Sequence, residues 1–170
     1  MSDEELVKRI RQGDTAAEEE LICRYYSPVL HYCGCYCGNR QTAEDLTQET
    51  FLRLFKSLPD YREEGKFKAY LFLIARRLCI NEGKKVPTYS LEDKENLASA
   101  RNELDRADDR DEIRRLMEGL PPEQREAVFL RFGMRFSYRD IAKATGCNLR
   151  TAQSRVAYAL KNMRKRMRHE

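Results

Sequence analysis

Tryptophan is absent from this 170-residue chain, histidine occurs twice, and glycine and proline supply only 8 and 5 positions. These few helix breakers fall between periodic apolar segments, which predicts an all-α protein. No alternating strand pattern and no internal repeat is present. Nor is there an apolar run of the ~20 residues that would span a membrane. The start, Met1-Ser2-Asp3-Glu4-Glu5, is acidic and carries no apolar segment, so a secretory signal is not expected and the chain is placed in the cytoplasm without membrane insertion. Paired carboxylates and an activated nucleophile do not stand out, and Gly83-Lys84-Lys85 lacks the earlier glycine of a phosphate loop. An enzyme is therefore not expected, and no catalytic residue, metal site or cofactor is assigned.

What the chain has is charge: 35% of residues, as 32 Lys+Arg against 28 Asp+Glu, for a net +4. The distribution says more than the sum. From Asn148 onward there are seven basic residues and one acid, whereas Leu91 to Glu112 holds nine acids against four bases. A basic surface for a polyanion at one end and an acidic solvated tether before it fit this asymmetry.

Periodicity predicts helices over 3–12 and 15–37, broken at Gly13-Asp14, then one from Asn39 or Thr42 to about Leu58. In the third, Phe51, Leu54, Phe55 and Leu58 follow the spacing of one buried face, and Phe67, Leu71, Ile74 and Leu78 mark a fourth helix. These make residues 1–85 one small helical domain. Residues 86–107 are polar and acidic and predict a flexible linker. Residues 108–170 form a second helical domain: order resumes at Ile113, Leu116 and Met117, and the prolines at 121 and 122 suit the first turn of a helix carrying Ala127, Val128, Leu130 and Phe132, which Gly133 stops.

The second domain ends in a helix-turn-helix pattern. Ser137 with Asp140 three residues on forms a capping box, Gly146 suits a left-handed turn, and Asn148 is a good N-cap for the last helix. Ala152, Val156, Ala159, Leu160 and Met163 make its buried stripe. Arg150, Thr151, Gln153, Ser154, Ala157, Tyr158 and Lys161 lie away from that stripe, as a helix in a major groove requires. Gln153 and Ser154 can meet base edges, while Arg155, Lys161 and Arg164 suit phosphates. An antiparallel helix pair with a solvated basic face is the bland alternative. The tight glycine turn, the capped helix and the basic face together favour DNA.

The third helix has a second face, Asp45, Gln48, Glu49, Leu52 and Lys56, polar except for Leu52. Here Ala43-Glu44-Asp45-Leu46-Thr47-Gln48-Glu49-Thr50-Phe51-Leu52-Arg53-Leu54-Phe55 resembles region 2.2 of sigma-70-family proteins. Phe67-Lys68-Ala69-Tyr70-Leu71 with Ile74-Ala75-Arg76 resembles regions 2.3 and 2.4 of the extracytoplasmic-function (ECF) group. Leu120-Pro121-Pro122-Glu123-Gln124-Arg125-Glu126 and Ser137-Tyr138-Arg139-Asp140-Ile141-Ala142 resemble region 4. The resemblance implies a promoter-specificity subunit without regions 1.1 and 3. Asp45, Gln48, Glu49 and Leu52 would dock on the β′ clamp helices of core RNA polymerase, and region 4 would pack on the β flap tip and read the −35 element through Arg150, Thr151, Gln153, Ser154, Arg155, Tyr158 and Lys161. The loop Pro59 to Lys66 would capture a flipped −10 base of the single-stranded non-template DNA, with Tyr61 able to stack on it, and Arg76, Arg77, Asn81, Lys84 and Lys85 would line the strand's path. An anti-sigma factor is a further implied partner, and stress- or signal-responsive promoters the implied targets. Many relatives carry Trp at Tyr70, Asn at Arg77, Asp at Asn81 and a base at Tyr158, so Tyr158 and Gln153 point to an unusual −35 sequence. An autonomous dimeric helix-turn-helix regulator is the competing reading.

Six cysteines, Cys23, Cys33, Cys35, Cys37, Cys79 and Cys147, are expected to be thiols in the cytosol. Cys33 and Cys37 stand one helical turn apart, as do His31 and Cys35, and either pair offers two zinc ligands, but the pairs point in different directions. Buried thiols filling a helical core explain the cluster more simply, with redox sensing as the next option.

Overall fold

The first helix, α1 (Asp3–Arg11), begins at Ser2, whose hydroxyl accepts from the Glu5 N–H at 3.2 Å while the Glu5 carboxylate accepts from the Ser2 N–H at 3.0 Å. This reciprocal cap satisfies two donors that a helix start leaves without partners. Gly13, at φ +85°, takes the left-handed backbone between helices, and Asp14 caps α2 (Thr15–Tyr36) by accepting from the N–H groups of Ala16 and Ala17. Of the two candidate starts for α3 (Arg40–Ser57), Asn39 is the cap: its side chain accepts from the Thr42 N–H at 2.8 Å. A 3-10 turn, Leu58–Asp60, carries Pro59 where a missing N–H costs nothing, and α4 (Phe67–Lys85) follows.

The computed structural model describes residues 1–37, 39–62, 64–85 and 107–169, with side chains for all of these but 84, 85 and 107–111. The expected linker, apart from its last residue, lies outside the described residues. The chain divides into two compact units, Met1–Leu97 and Ala98–Glu170. Both are helical and, among the described residues, there is no strand.

In the first unit the four helices enclose Leu6, Val7, Leu21, Val29, Tyr32, Leu54, Leu58, Phe67, Leu71 and Phe72, all buried. Aromatic edges organise this core: Tyr32 meets Phe72 edge-on at 5.3 Å between centroids, and Tyr25 meets Phe67 at 5.9 Å. Thr47 and Thr50 are buried polar side chains on α3, and each hydroxyl donates to the carbonyl four residues back, at 2.7 and 2.6 Å, so neither is orphaned. Cys33 and Cys79 belong to the same core, Cys35 and Cys37 are half-buried, and Cys23 is exposed.

The second unit comprises α5 (Ala107–Glu118), α6 (Pro122–Val128) running on through a wider π turn (Phe129–Gly133), α7 (Tyr138–Thr145) and α8 (Leu149–His169). Leu120, Val128 and Ala159 make an apolar cluster that Met117 and Met163 cover. Two large apolar residues of these helices lie on the surface. Phe132 is exposed, because the π turn, closed by the Met134 N–H on the Phe129 carbonyl at 3.1 Å, inserts a residue and shifts the helical phase after Val128. Ile113 is exposed too, since the end of α5, at Leu116 and Met117, is the part that reaches the core.

Candidate nucleic-acid and partner interfaces

The helix-turn-helix is built by its local chemistry. Ser137 and Asp140 form the capping box of α7, with the Asp140 N–H donating to the Ser137 hydroxyl at 3.1 Å. Gly146 closes α7 at φ +68°, a conformation that glycine reaches without the steric cost a Cβ brings. Asn148 accepts from the Thr151 N–H at 2.8 Å and starts α8. Ahead of α7, Arg131 donates to the Phe136 carbonyl at 2.9 Å and lies 4.3 Å over the Tyr138 ring, fixing the approach to the motif. Ala152, Val156 and Ala159 are buried, so α8 turns its opposite face outward. On that face Arg150, Gln153, Tyr158 and Lys161 are exposed, Tyr158 at 59%. Thr151, Ser154 and Arg155 are half-buried, and the Arg155 guanidinium turns toward Glu123 of α6 at 3.7 Å. Further along α8, Asn162 donates to Gln124 at 2.9 Å, and the Arg166 guanidinium fills the space where a Cβ of residue 119 would stand.

On α3, Asp45, Gln48 and Leu52 are exposed and Glu49 is half-buried. Asp45 accepts from Gln41 at 3.1 Å and Glu49 pairs with Arg53 at 2.7 Å, and Leu52 on the same helix is 56% exposed. Leu52 is thus an exposed apolar side chain on an otherwise polar helix face.

The loop after α3 is held from two sides. The Tyr61 ring lies 4.7 Å from the Tyr70 ring and meets Phe67 edge-on at 6.1 Å, and the Tyr70 hydroxyl donates to Ser57 at 2.6 Å. Behind it, Arg11 of α1 donates to the carbonyls of Leu58 and Tyr61. Arg11 has no local signature, because its partners are backbone atoms 47 and 50 residues away. Along α4, Arg77 and Asn81 are exposed and Arg76 is half-buried, and the side chains of Lys84 and Lys85 lie outside the described residues. Among the described residues no group of three or more His, Cys, Asp or Glu side chains is placed to hold a metal. No described helix is long and apolar enough to cross a membrane.

Comparison with known proteins places both units. Residues 21–85 match the family model for Sigma-70 region 2, and residues 110–163 match that for Sigma-70, region 4. The chain is 30% identical over 169 residues to the RNA polymerase sigma-H factor of Pseudomonas aeruginosa, covering 91% of this chain and 88% of that protein. It is 29% identical over 171 residues to the ECF RNA polymerase sigma-E factor of Haemophilus influenzae, covering 92% and 90%. Its fold is similar to that of the sigma factor RpoE of Bartonella quintana in complex with the anti-sigma factor NepR, at a TM-score of 0.69 and 22% identity over 88% of this chain and 96% of that one. The chain belongs to the ECF group of the sigma-70 family of RNA polymerase sigma factors. Sigma factors are in general not catalytic enzymes.

Proposed function

We propose that the chain directs core RNA polymerase to promoters through three surfaces, none of them catalytic, and that it works in the cytoplasm where the polymerase is. The α3 face of Asp45, Gln48, Glu49 and Leu52 docks on the β′ clamp helices. The observation that carries this is Leu52, an apolar side chain left 56% exposed beside Asp45 and Glu49, both held by neighbours on the same helix. The exposed face of α8 enters the −35 major groove: Gln153 and Tyr158 read base edges, and Arg150 and Lys161 hold phosphates. Thr151, Ser154 and Arg155, half-buried, line its edge. The second unit also packs on the β flap tip.

The third surface is the loop from Pro59 to Lys66 with α4. Opening a duplex costs a few kcal/mol per unstacked base, and capturing the freed non-template base offsets that cost. Tyr61 stacks on the flipped −10 base, and Arg76, Arg77, Asn81, Lys84 and Lys85 follow its strand. The fold shared with RpoE, seen in complex with the anti-sigma factor NepR, supports an anti-sigma factor as a partner of this chain. The promoters it serves are stress- or signal-responsive.

Run-off transcription from genomic fragments, with core polymerase alone and with this protein added, tests the reading. Promoter-specific transcripts that need the added protein are expected. Tight operator binding without polymerase, and no association with core, would overturn it in favour of an autonomous regulator.

A further inference from the structure

Arg11 closes α1, and its guanidinium reaches into the turn that opens the candidate capture loop. Nε donates to the Leu58 carbonyl at 3.0 Å, and Nη2 donates to the Tyr61 carbonyl. The same turn is closed from within by the Tyr61 N–H on the Leu58 carbonyl at 3.2 Å. One planar fork thus holds the first and last residues of the turn together, a task suited to guanidinium, whose N–H vectors have fixed spacing, and not to a single ammonium. The Tyr61 ring rests on Tyr70 at 4.7 Å, and the Tyr70 hydroxyl donates to Ser57. Tyr61 is therefore clamped by its backbone from α1 and by its ring from α4, and it stays half-buried rather than swinging free.

We propose that Arg11 is a positioning residue for −10 base capture: it sets the loop before DNA arrives, so that the remaining face of Tyr61 meets the unstacked base without further ordering. This rests on the −10 reading given above. Without the clamp, the loop must be ordered in the binding step itself, and affinity for the strand falls. Because Arg11 acts through the placement of Tyr61, its effect depends on the tyrosine ring being there.

The test uses holoenzyme and a fluorescein-labelled single-stranded non-template oligonucleotide spanning the −10 element of a promoter recovered by run-off transcription. Tyr61→Ala is expected to weaken binding about five- to 150-fold, the range of a lost base stack. Arg11→Gln is expected to weaken it about fivefold in the wild-type background and less than about twofold when combined with Tyr61→Ala. Arg11→Lys, which keeps the charge but not the planar two-nitrogen fork, falls between. Core affinity and the folded state at the assay temperature stay at wild-type levels. A loss from Arg11→Gln that is equally large beside Tyr61→Ala, or that appears equally in core affinity, overturns the positioning role. If Arg11→Gln is silent while Tyr61→Ala is not, Arg11 alone is dismissed. A silent Tyr61→Ala removes the loop reading and this inference with it.

Discussion

Tyr25 and Asp3 join the first two helices through a short hydrogen bond: the tyrosine hydroxyl donates to Asp3 Oδ2 at 2.6 Å. Arg24 reaches the other carboxylate oxygen at 2.9 Å, so one acid is shared by two neighbours on α2. Burial and the adjacent Asp3 carboxylate push the Tyr25 hydroxyl well above its ordinary value of 10.0. The neutral tyrosine is thus the form that the fold favours. Its stabilisation is complete below pH 10 and declines as pH rises beyond that, where the unfolded chain ionises first. Tyr25→Phe should lower unfolding free energy by about 1.5–3 kcal/mol at neutral pH, the usual worth of a hydrogen bond to a charged group. Urea midpoints at pH 8 and pH 10.5 check this: the wild type should lose more than the variant between the two, and equal losses would contradict the argument.

Leu52 and its neighbours separate folding from docking. Leu52 contributes little to the core at 56% exposure, so Leu52→Ala should leave thermal unfolding unchanged to within about 0.5 kcal/mol. The same change should weaken association with core polymerase about tenfold or more if Leu52 is the anchor of that face. Asp45→Ala with Gln48→Ala should act in the same direction. Fluorescence anisotropy of labelled protein titrated with core gives the comparison, and unaltered affinity would remove the assignment of the α3 face.

Gly146 tests the turn of the helix-turn-helix. Nothing lies within 4 Å of a Cβ added there, so substitution meets no clash. The cost of Gly146→Ala is backbone strain at φ +68°, about 1–2 kcal/mol. A drop of that size in the unfolding of the full chain, with −35 duplex affinity falling in parallel, is the expected result. A neutral substitution would mean that the turn relaxes to another conformation at no cost.

Sequence specificity and salt dependence should divide between residues of α8. Gln153→Ala should cost about 1–3 kcal/mol on the preferred −35 sequence and relax discrimination at one position. Lys161→Ala should weaken all sequences alike and reduce the slope of log affinity against log salt by about one. Titrations of holoenzyme on promoter variants at several salt concentrations separate the two. If Lys161→Ala leaves the salt slope intact, its phosphate contact is refuted.

Local chemistry was legible in the sequence, and long-range chemistry was not. Ser137 with Asp140, Gly146 and Asn148 were visible because a cap or a left-handed turn involves residues within three positions of each other. The third helix has two candidate starts, and the Thr42 backbone N–H donating to the Asn39 side chain decides between them. The exposure of Phe132 is not legible, because helical periodicity assumes one residue count per turn and the π turn at Phe129–Gly133 breaks that count. Arg11 left no trace, since backbone carbonyls 47 and 50 residues away can belong to any sequence. The ion pair of Arg155 with Glu123 at 3.7 Å is likewise a contact between helices that no local pattern announces.

The thiols should react in an order set by burial. Cys23 is exposed, whereas Cys33 and Cys79 lie in the core. The Cys33 thiol is held below its ordinary value chiefly by a hydrogen bond with Cys79, yet at 0% exposure it offers a reagent no approach. Cys37 is pushed up to about 12 by burial and by the neighbouring Cys33, and its thiol donates to the Cys33 carbonyl at 2.8 Å. At pH 8 its thiolate amounts to about one part in ten thousand, and the thiolate is the nucleophile. A short iodoacetamide pulse at pH 8, read by peptide mass spectrometry, should therefore modify Cys23 before Cys37 and leave Cys33 and Cys79 until the unit opens. The raised Cys37 value also means that its protonated form supports the fold below pH 9 and that this support fades as pH climbs from 9 toward 12, because the unfolded thiol loses its proton first. Cys37→Ser should flatten that part of the alkaline decline, and alkylation of Cys37 ahead of Cys23 in the native protein would show that the end of α2 is open rather than packed.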